Sequence, residues 1–386
     1  MKPVTRTYLD ANATHPLLPQ ARQAMVDALE LPGNPSSVHE EGRAARRLIE
    51  ESRRAVAAAV NAKPEHVTFT AGATEAANLL LTPNWQLGRS KLAMGRLYVC
   101  AADHPCTLAG GQFAADQITV LPVLPCGELA LSALEAALSA HDKATGLPLV
   151  AVHHANNETG VIQPIGAIAA IVKAHGGILI VDAVQSLGRI PLDITTGCGD
   201  FFIVSSHKTG GSKGAGAIIG VTDLMMPVPV LRGGGQEKGR RSGTEALPAI
   251  AGFGGAAKLI PERLERAGEL AVMRDRIEDV IKAAVPDAIF HGMQATGRLP
   301  NTTFFSLLQM RAETAQIAFD LQKVAVSAGS ACSSGKVGPS HVLKAMGVKG
   351  NEGAIRVSVS LETSEDDIDR FAEALSVIVA RRPNQT

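Results

Sequence analysis

The sequence predicts an α/β fold: a large domain built on a mostly parallel seven-stranded sheet, followed by a smaller α+β domain. Three observations predict it. Short β-rich runs alternate with helical patterns through the first two-thirds of the chain, as in a parallel sheet with crossover helices. After about residue 258 the pattern changes to a charged helix and a few further strand-like runs. At 386 residues the chain also exceeds one ordinary core, so about two domains of roughly 100–200 residues each are expected.

Taken in order, the strand candidates are "HVTFTAG" (66–72), "RLYVCAADH" (96–104), "QITVLPV" (117–123), "PLVAVHHANN" (148–157), "GILIVDAVQ" (177–185), "FFIVSSHK" (201–208) and "GAIIGV" (216–221). Helical stretches such as "ATEAANLLL", "LSALEAALSA" and "IGAIAAIVKAHGG" lie between them, the last closed by glycines suited to a helix C-cap. The arginine-dense segment 41–60 is interrupted by glutamates, and its apolar residues recur with helical spacing, so it reads as a solvated amphipathic helix. Downstream, "PERLERAGELAVMRDRIEDVIKAAV" reads as one long helix opened by Pro261. Strands "NTTFFSL", "KVAVSA" and "AIRVSVSL" follow, then a last helix beginning near Ser364 with acids in its first turn. The large domain is thus placed at residues 15–258 and the small one at 1–14 and 259–386, packed closely because no Pro/Ser-rich linker separates them.

Charge is balanced, with 37 Lys+Arg against 37 Asp+Glu, which leaves no electrostatic footprint for nucleic acid or an anionic membrane. No run approaches the roughly 20 apolar residues that span a bilayer, and the start lacks the apolar core of a secretory signal. A small-molecule or protein partner and a cytoplasmic location are the expectation. The 5 cysteines are scattered and include no C-x-x-C pair, so neither a disulfide framework nor a structural zinc site is indicated. Cys332, in "SAGSACSSGK", is surrounded by small or hydroxylated residues, so neither burial nor pairing accounts for it. Cys100, in "RLYVCAA", reads instead as a buried strand cysteine.

In parallel α/β sheets ligands gather at the carboxyl ends of the strands, and there this chain is polar. "HANNETG" presents Asn156 and Asn157, "GILIVDAVQS" delivers Asp182 and Gln185, and "FFIVSSHKTGG" delivers Ser205, His207 and Lys208. "FTAGATEAAN" runs strand, glycine turn, helix, which puts Ala73 and Thr74 at a helix N-terminus, an anion seat. Each has a plain structural reading: Asp182 as a cap, Lys208 as a surface lysine, His104 of "ADHPCT" as a half-buried histidine. The combination matches what pyridoxal phosphate needs: a lysine for the Schiff base, a carboxylate that keeps the pyridine nitrogen protonated, and donors for the phosphate.

The strings "GNPSSVHEEGRAAR", "TAGATEAAN", "HANNETGVIQP", "VDAVQSLG", "SSHK", "GGGQEKGRRSGT", "SAGSACSSG" and "IRVSVS" resemble, in order, the class V aminotransferase family, and within it the cysteine desulfurases. The resemblance runs from about Tyr8 to the last helix. It implies a type I pyridoxal-phosphate-dependent transferase fold, a homodimer, L-cysteine as substrate and a sulfur-acceptor protein serving iron–sulfur cluster assembly. By position it implies Lys208 as the Schiff-base lysine, Asp182 as partner of the ring nitrogen, Gln185 as partner of the phenolic oxygen, Asn157 beside the ring and His104 stacked on it. Ala73, Thr74, Ser205 and His207 would hold the phosphate, with Thr244 reaching it from the other subunit. Arg356 and Asn34 would receive the substrate carboxylate, and Cys332 would be the nucleophile that leaves carrying a persulfide.

Two positions depart from the family pattern. Ser212 stands where a proline is usual, so a looser loop after Lys208 is expected, and His15 stands where a threonine is usual, close to the expected pocket mouth. Three rival readings differ in identifiable ways. A selenocysteine lyase, or another class V lyase or epimerase, keeps the fold, but transamination and epimerisation need no thiol such as Cys332. A nucleotide-binding module on "GGSKGAG" or "RGGGQ" lacks both G-x-G-x-x-G after the first strand and a P-loop. A catalytically silent scaffold subunit is opposed by the intact lysine, acid and cysteine.

Overall fold

The most apolar runs of the chain become strands buried on both faces. Leu147–His153, Ile178–Asp182, Phe201–Ser205 and Gly216–Gly220 are buried at nearly every position, as expected where helices cover both sides of a sheet. The structure, a computed structural model, describes residues 6–329, 340–349 and 354–380.

These strands belong to a 9-stranded sheet in the order Met225–Pro227, Asn84–Leu87, Ser90–Cys100, Leu147–His153, Ile178–Asp182, Phe201–Ser205, Gly216–Gly220, Val67–Thr70, with Ile118–Leu121 also pairing Ser90–Cys100. All the expected strands are present. The strands from Ile118–Leu121 through Phe201–Ser205 pair in parallel, and Gly216–Gly220 runs against both its neighbours. The two additional strands, Asn84–Leu87 and Met225–Pro227, extend the edge as antiparallel pairs. The hairpin between Asn84–Leu87 and Ser90–Cys100 closes through Gly88 and Arg89, with Gly88 at φ +59° supplying the left-handed turn that a two-residue loop needs. Trp85 pins this extension, with its ring 5.2 Å from that of Phe201.

Segment Glu40–Ala58 is the expected amphipathic helix and buries Ala45, Ile49 and Val56. The expected long helix after Pro261 is two helices, Ile260–Glu265 and Ala267–Ala284, broken at Arg266 (φ −93°, ψ 6°). Gly268 two residues on weakens helix continuity there. Arg266 meanwhile pairs with Glu269 at 2.8–2.9 Å, in the first turn of the second helix. The last helix, Glu365–Val379, starts as read, with Ser364 as N-cap and Asp367 closing a capping box.

A second, 4-stranded antiparallel sheet comprises Ile289–Phe290, Thr302–Ser306, Ile355–Ser358 and Ser327–Ala328. The run "KVAVSA" divides between this sheet and Val324–Ala325, which pairs in parallel with Thr7–Tyr8. A compact apolar cluster of Leu9, Ile277, Phe305, Phe319, Ile355 and Phe371 lies under it, and Phe319 stacks on Phe371 at 5.3 Å. Burying aromatic and aliphatic side chains of this size contributes about 1.5–3 kcal/mol each. Among the described residues, no helix is long and apolar enough to cross a membrane.

Candidate active site

Three neighbouring parallel strands end at one place. His153 ends Leu147–His153 directly opposite Asp182. On the other side of Asp182, Phe201–Ser205 runs straight into the 3-10 turn Ser206–Lys208. Beyond Gly216–Gly220, the strand Val67–Thr70 turns through Gly72 into the helix Ala73–Leu80. A Cβ on Gly216 would lie 2.7 Å from the Gly72 backbone, so only glycine there lets this turn rest on the sheet.

Between them lies a cavity of about 600 Å³, within the range of small-molecule sites. Of the residues expected from the sequence, it brings together Ala73, Thr74, His104, Asn157, Asp182, Gln185, Ser205, His207 and Lys208. Three others lie elsewhere in this chain. Asn34 is exposed and its Oδ1 accepts the Ser36 N–H at 2.9 Å. Thr244 is exposed beside a smaller cavity next to Ala71 and Arg241. Arg356 is buried, donating to Asp10 Oδ1 at 2.6 Å and to the backbone oxygen of Asn157 at 2.8 Å, while its Nε has no partner. Cys332 lies outside the described residues.

Lys208 Nζ donates to the carbonyls of Asn12 (2.6 Å) and Ala13 (2.9 Å). Gln185 Nε2 donates to the same Asn12 carbonyl at 3.1 Å, whereas its buried Oε1 has no hydrogen-bond partner. Asp182 sits at the cavity floor, taking the Val184 N–H at 3.0 Å. Burial pushes its carboxyl up to about 6, against the Val184 hydrogen bond, and the Asp103 charge adds to the rise. The charges of His153 and Lys208 favour its ionised form but do not offset the burial.

His104 caps the short helix Pro105–Leu108. Its Nδ1 accepts the Cys106 N–H at 3.2 Å, which leaves the ring proton on Nε2. Burial, aided by the Lys208 charge, lowers its pKa to about 4, so the ring is neutral at physiological pH.

Sequence reasoning missed a brace beneath Asp182. Asp103 Oδ1 accepts both His153 Nδ1–H (2.6 Å) and the His153 backbone N–H (2.8 Å), while Oδ2 accepts the Cys100 N–H (2.8 Å). Gln163 then donates to His153 Nε2 at 3.0 Å, completing the tautomer. Cys100, Asp103 and His153 bring potential ligand atoms within 4.8 Å of one another. With three N–H donors on the Asp103 carboxylate, the cluster reads as a structural brace. Asn12 and Thr14 were also missed; Thr14 Oγ1 lies 2.8 Å from His207 Nδ1.

Both departures from the family pattern behave differently from expectation. Ser212 is buried and donates to the Ala249 carbonyl at 2.6 Å, so the loop after Lys208 is tied to the helix Leu247–Ala257 and not loosened. His15 is buried away from the large cavity: Nδ1 donates to the Pro16 carbonyl at 2.7 Å and Nε2 accepts from Arg263 at 2.6 Å. It lines a small cavity behind Lys208 with Arg189 and Arg263.

Burial lowers the pKa of His15, His104, His154, His207 and His291 from 6.5 to about 4. The unfolded chain therefore binds more protons than the folded one between these values, and stability is lost as pH falls from about 6.5 through about 4. Asp182 and Glu158, raised to about 6 and about 7, act in the opposite sense but are fewer. Thermal melts of the cofactor-free protein are expected to show a lower Tm at pH 5 than at pH 7; an unchanged or higher Tm would contradict neutral burial of these rings.

Residues 7–371 match the family model of the class V aminotransferases. An IscS-like cysteine desulfurase of Mycobacterium tuberculosis is 34% identical over 382 residues, covering 97% of this chain and 96% of that protein. A cysteine desulfurase of Trichormus azollae is 37% identical over 381 residues, covering 97% of this chain and 93% of that one. Among solved structures, a NifS-like protein from Rickettsia africae superposes with a TM-score of 0.84 at 32% identity, over 97% of this chain and 100% of the other.

Proposed function

This chain belongs to the class V aminotransferase family and acts as a cysteine desulfurase, and we propose that it does so with pyridoxal phosphate seated between Ala73–Thr74 and Lys208. We propose further that the active unit is a homodimer, and that sulfur leaves on Cys332 for an acceptor protein in iron–sulfur cluster assembly. The observation that carries this reading is the convergence of a lysine, a carboxyl raised to about 6 and a helix N-terminus on one cavity.

The residues present fit the cofactor. The first N–H groups of Ala73–Leu80, with Thr74, Ser205 and His207, offer donors to a phosphate. Asp182, raised to about 6 by burial, would hold a protonated ring nitrogen, and that close cation would favour its ionised form further. Gln185 Oε1, still unpartnered, can accept a hydrogen bond from a donor substituent such as a ring hydroxyl. Bound there, pyridoxal phosphate supplies an electrophilic carbon for amines and an electron sink.

The chain supplies the rest. Lys208 anchors the cofactor through Nζ and, once free, is the base for the substrate Cα proton; the Asn12 and Ala13 carbonyls fix where that nitrogen rests. His104, neutral and carrying its proton on Nε2, is a donor at the cavity wall. Arg356 receives the substrate carboxylate through donor capacity that Asp10 and Asn157 leave unused, whereas Asn34 lies outside the cavity of this chain. The Cys332 thiolate attacks the substrate sulfur: an S–S bond forms as the Cβ–S bond breaks, its electron pair stays on carbon, and a proton completes the methyl group of alanine. Cysteine plus one enzyme thiol thus becomes alanine plus one enzyme persulfide. Exposure of Thr244 on its loop supports a role for it toward a second subunit.

Anaerobic incubation with L-cysteine and a thiol reductant is expected to yield sulfide and alanine in equal amounts from a yellow protein. Pyruvate and ammonia in place of alanine, or a colourless protein with full activity, would overturn the reading.

A further inference from the structure

We infer that Arg241 is a positioning residue of the anion seat, where its guanidinium neutralises and restrains Glu75, a carboxylate that the seat helix itself places in the cavity. The inference rests on the reading of Ala73–Thr74 as a phosphate seat and concerns how that seat tolerates a second anion.

Glu75 lies in the first turn of Ala73–Leu80 and lines the same cavity as Ala73 and Thr74. A carboxylate and a phosphate at one helix N-terminus compete for the same positive end and repel each other. Glu75 Oε2 moreover takes the Ala71 N–H at 3.0 Å, one of the donors of the turn. Arg241 closes on this carboxylate as a fork, Nε to Oε1 at 2.8 Å and NH2 to Oε2 at 3.3 Å. The first turn then presents no net negative charge, and Glu75 serves as a strut that holds the turn.

The loop around Arg241 is built to hold it there. Gln236 Oε1 takes the Gly243 N–H at 3.1 Å, and Ser242 Oγ donates to the Gly234 carbonyl at 2.7 Å. Glu237 grips buried Arg53 with both oxygens at 2.7 Å and takes the Phe69 N–H at 2.8 Å. Glu237 and Lys238 are held at φ +48° and +57°, a left-handed conformation that non-glycine residues adopt only when their surroundings enforce it. The motif "GGGQEKGRRSGT" therefore has work in its own subunit, tied at one end to Arg53 and at the other to the cavity.

The test is titration of the cofactor-free protein with pyridoxal phosphate, read by absorbance at low ionic strength, with apo Tm recorded for each variant. Arg241→Gln is expected to weaken binding about tenfold, with the loss shrinking as salt is added. Glu75→Gln, which leaves Arg241 charged, is expected to tighten binding about threefold, and the double variant to return within about threefold of the parent. A double variant as weak as Arg241→Gln, or a Glu75→Gln protein that binds more weakly than the parent, would overturn charge compensation and leave Arg241 a loop tie alone. A parent protein that takes up no pyridoxal phosphate would instead remove the phosphate-seat reading, a separate failure visible before any variant is made.

Discussion

Lys208→Ala is expected to lower L-cysteine turnover by about 10³-fold or more, because it removes both the anchor and the base from one position. The fold should survive: Lys208 Nζ contributes hydrogen bonds to two backbone carbonyls, and that of Asn12 keeps its Gln185 donor. The competing assignment is concrete, since Lys213 lines the same cavity. Lys208, however, closes the 3-10 turn that directly follows the strand beside Asp182, whereas Lys213 is more exposed. Borohydride reduction followed by peptide mapping should find the pyridoxyl group on Lys208, and a label on Lys213 would sink the assignment. Mixing Lys208→Ala with Thr244→Ala under subunit exchange should restore activity, because one site of each mixed dimer has both residues. No recovery on mixing would count against a shared site.

What the sequence made legible, and what it hid, follows from the range of the interactions involved. Asp182 and Lys208 could be placed because each ends or closely follows a buried apolar run, and a local pattern is enough to say where such a run stops. The edge hairpin at Gly88 escaped because only Trp85 is buried in Asn84–Leu87, so no alternation marks a strand. The break at Arg266 hides inside a continuous helical pattern. The Asp103–His153 brace joins residues 50 apart, and the Asn12 carbonyl meets Lys208 across 196 positions. No spacing rule reaches that far. Ser212 shows the converse error: replacing proline in a motif suggested slackness, but its hydroxyl found the Ala249 carbonyl and tied the loop by another route.

Cys332→Ser is expected to bind pyridoxal phosphate as the parent does and yet release sulfide at least about 10²-fold more slowly, because the serine hydroxyl cannot take sulfur from the substrate. The other thiols near the site make this a sharp test. Only a thiolate attacks sulfur, and an unperturbed cysteine ionises near 8.5. Cys106 lines the cavity, but burial pushes its thiol up to about 12, with the Asp182 charge adding to the rise. Cys100 is buried at the end of Ser90–Cys100 and is raised well above the ordinary thiol range by burial and the Asp103 charge. Both are protonated at neutral pH and neither can substitute for Cys332, so the variant should have no residual route through a neighbour. In the parent protein, brief anaerobic exposure to L-cysteine should add one sulfur atom, removable by a reductant, to the peptide bearing Cys332. Sulfur on the Cys100 or Cys106 peptide, or a Cys332→Ser protein that releases sulfide at the parental rate, would show that the nucleophile lies elsewhere.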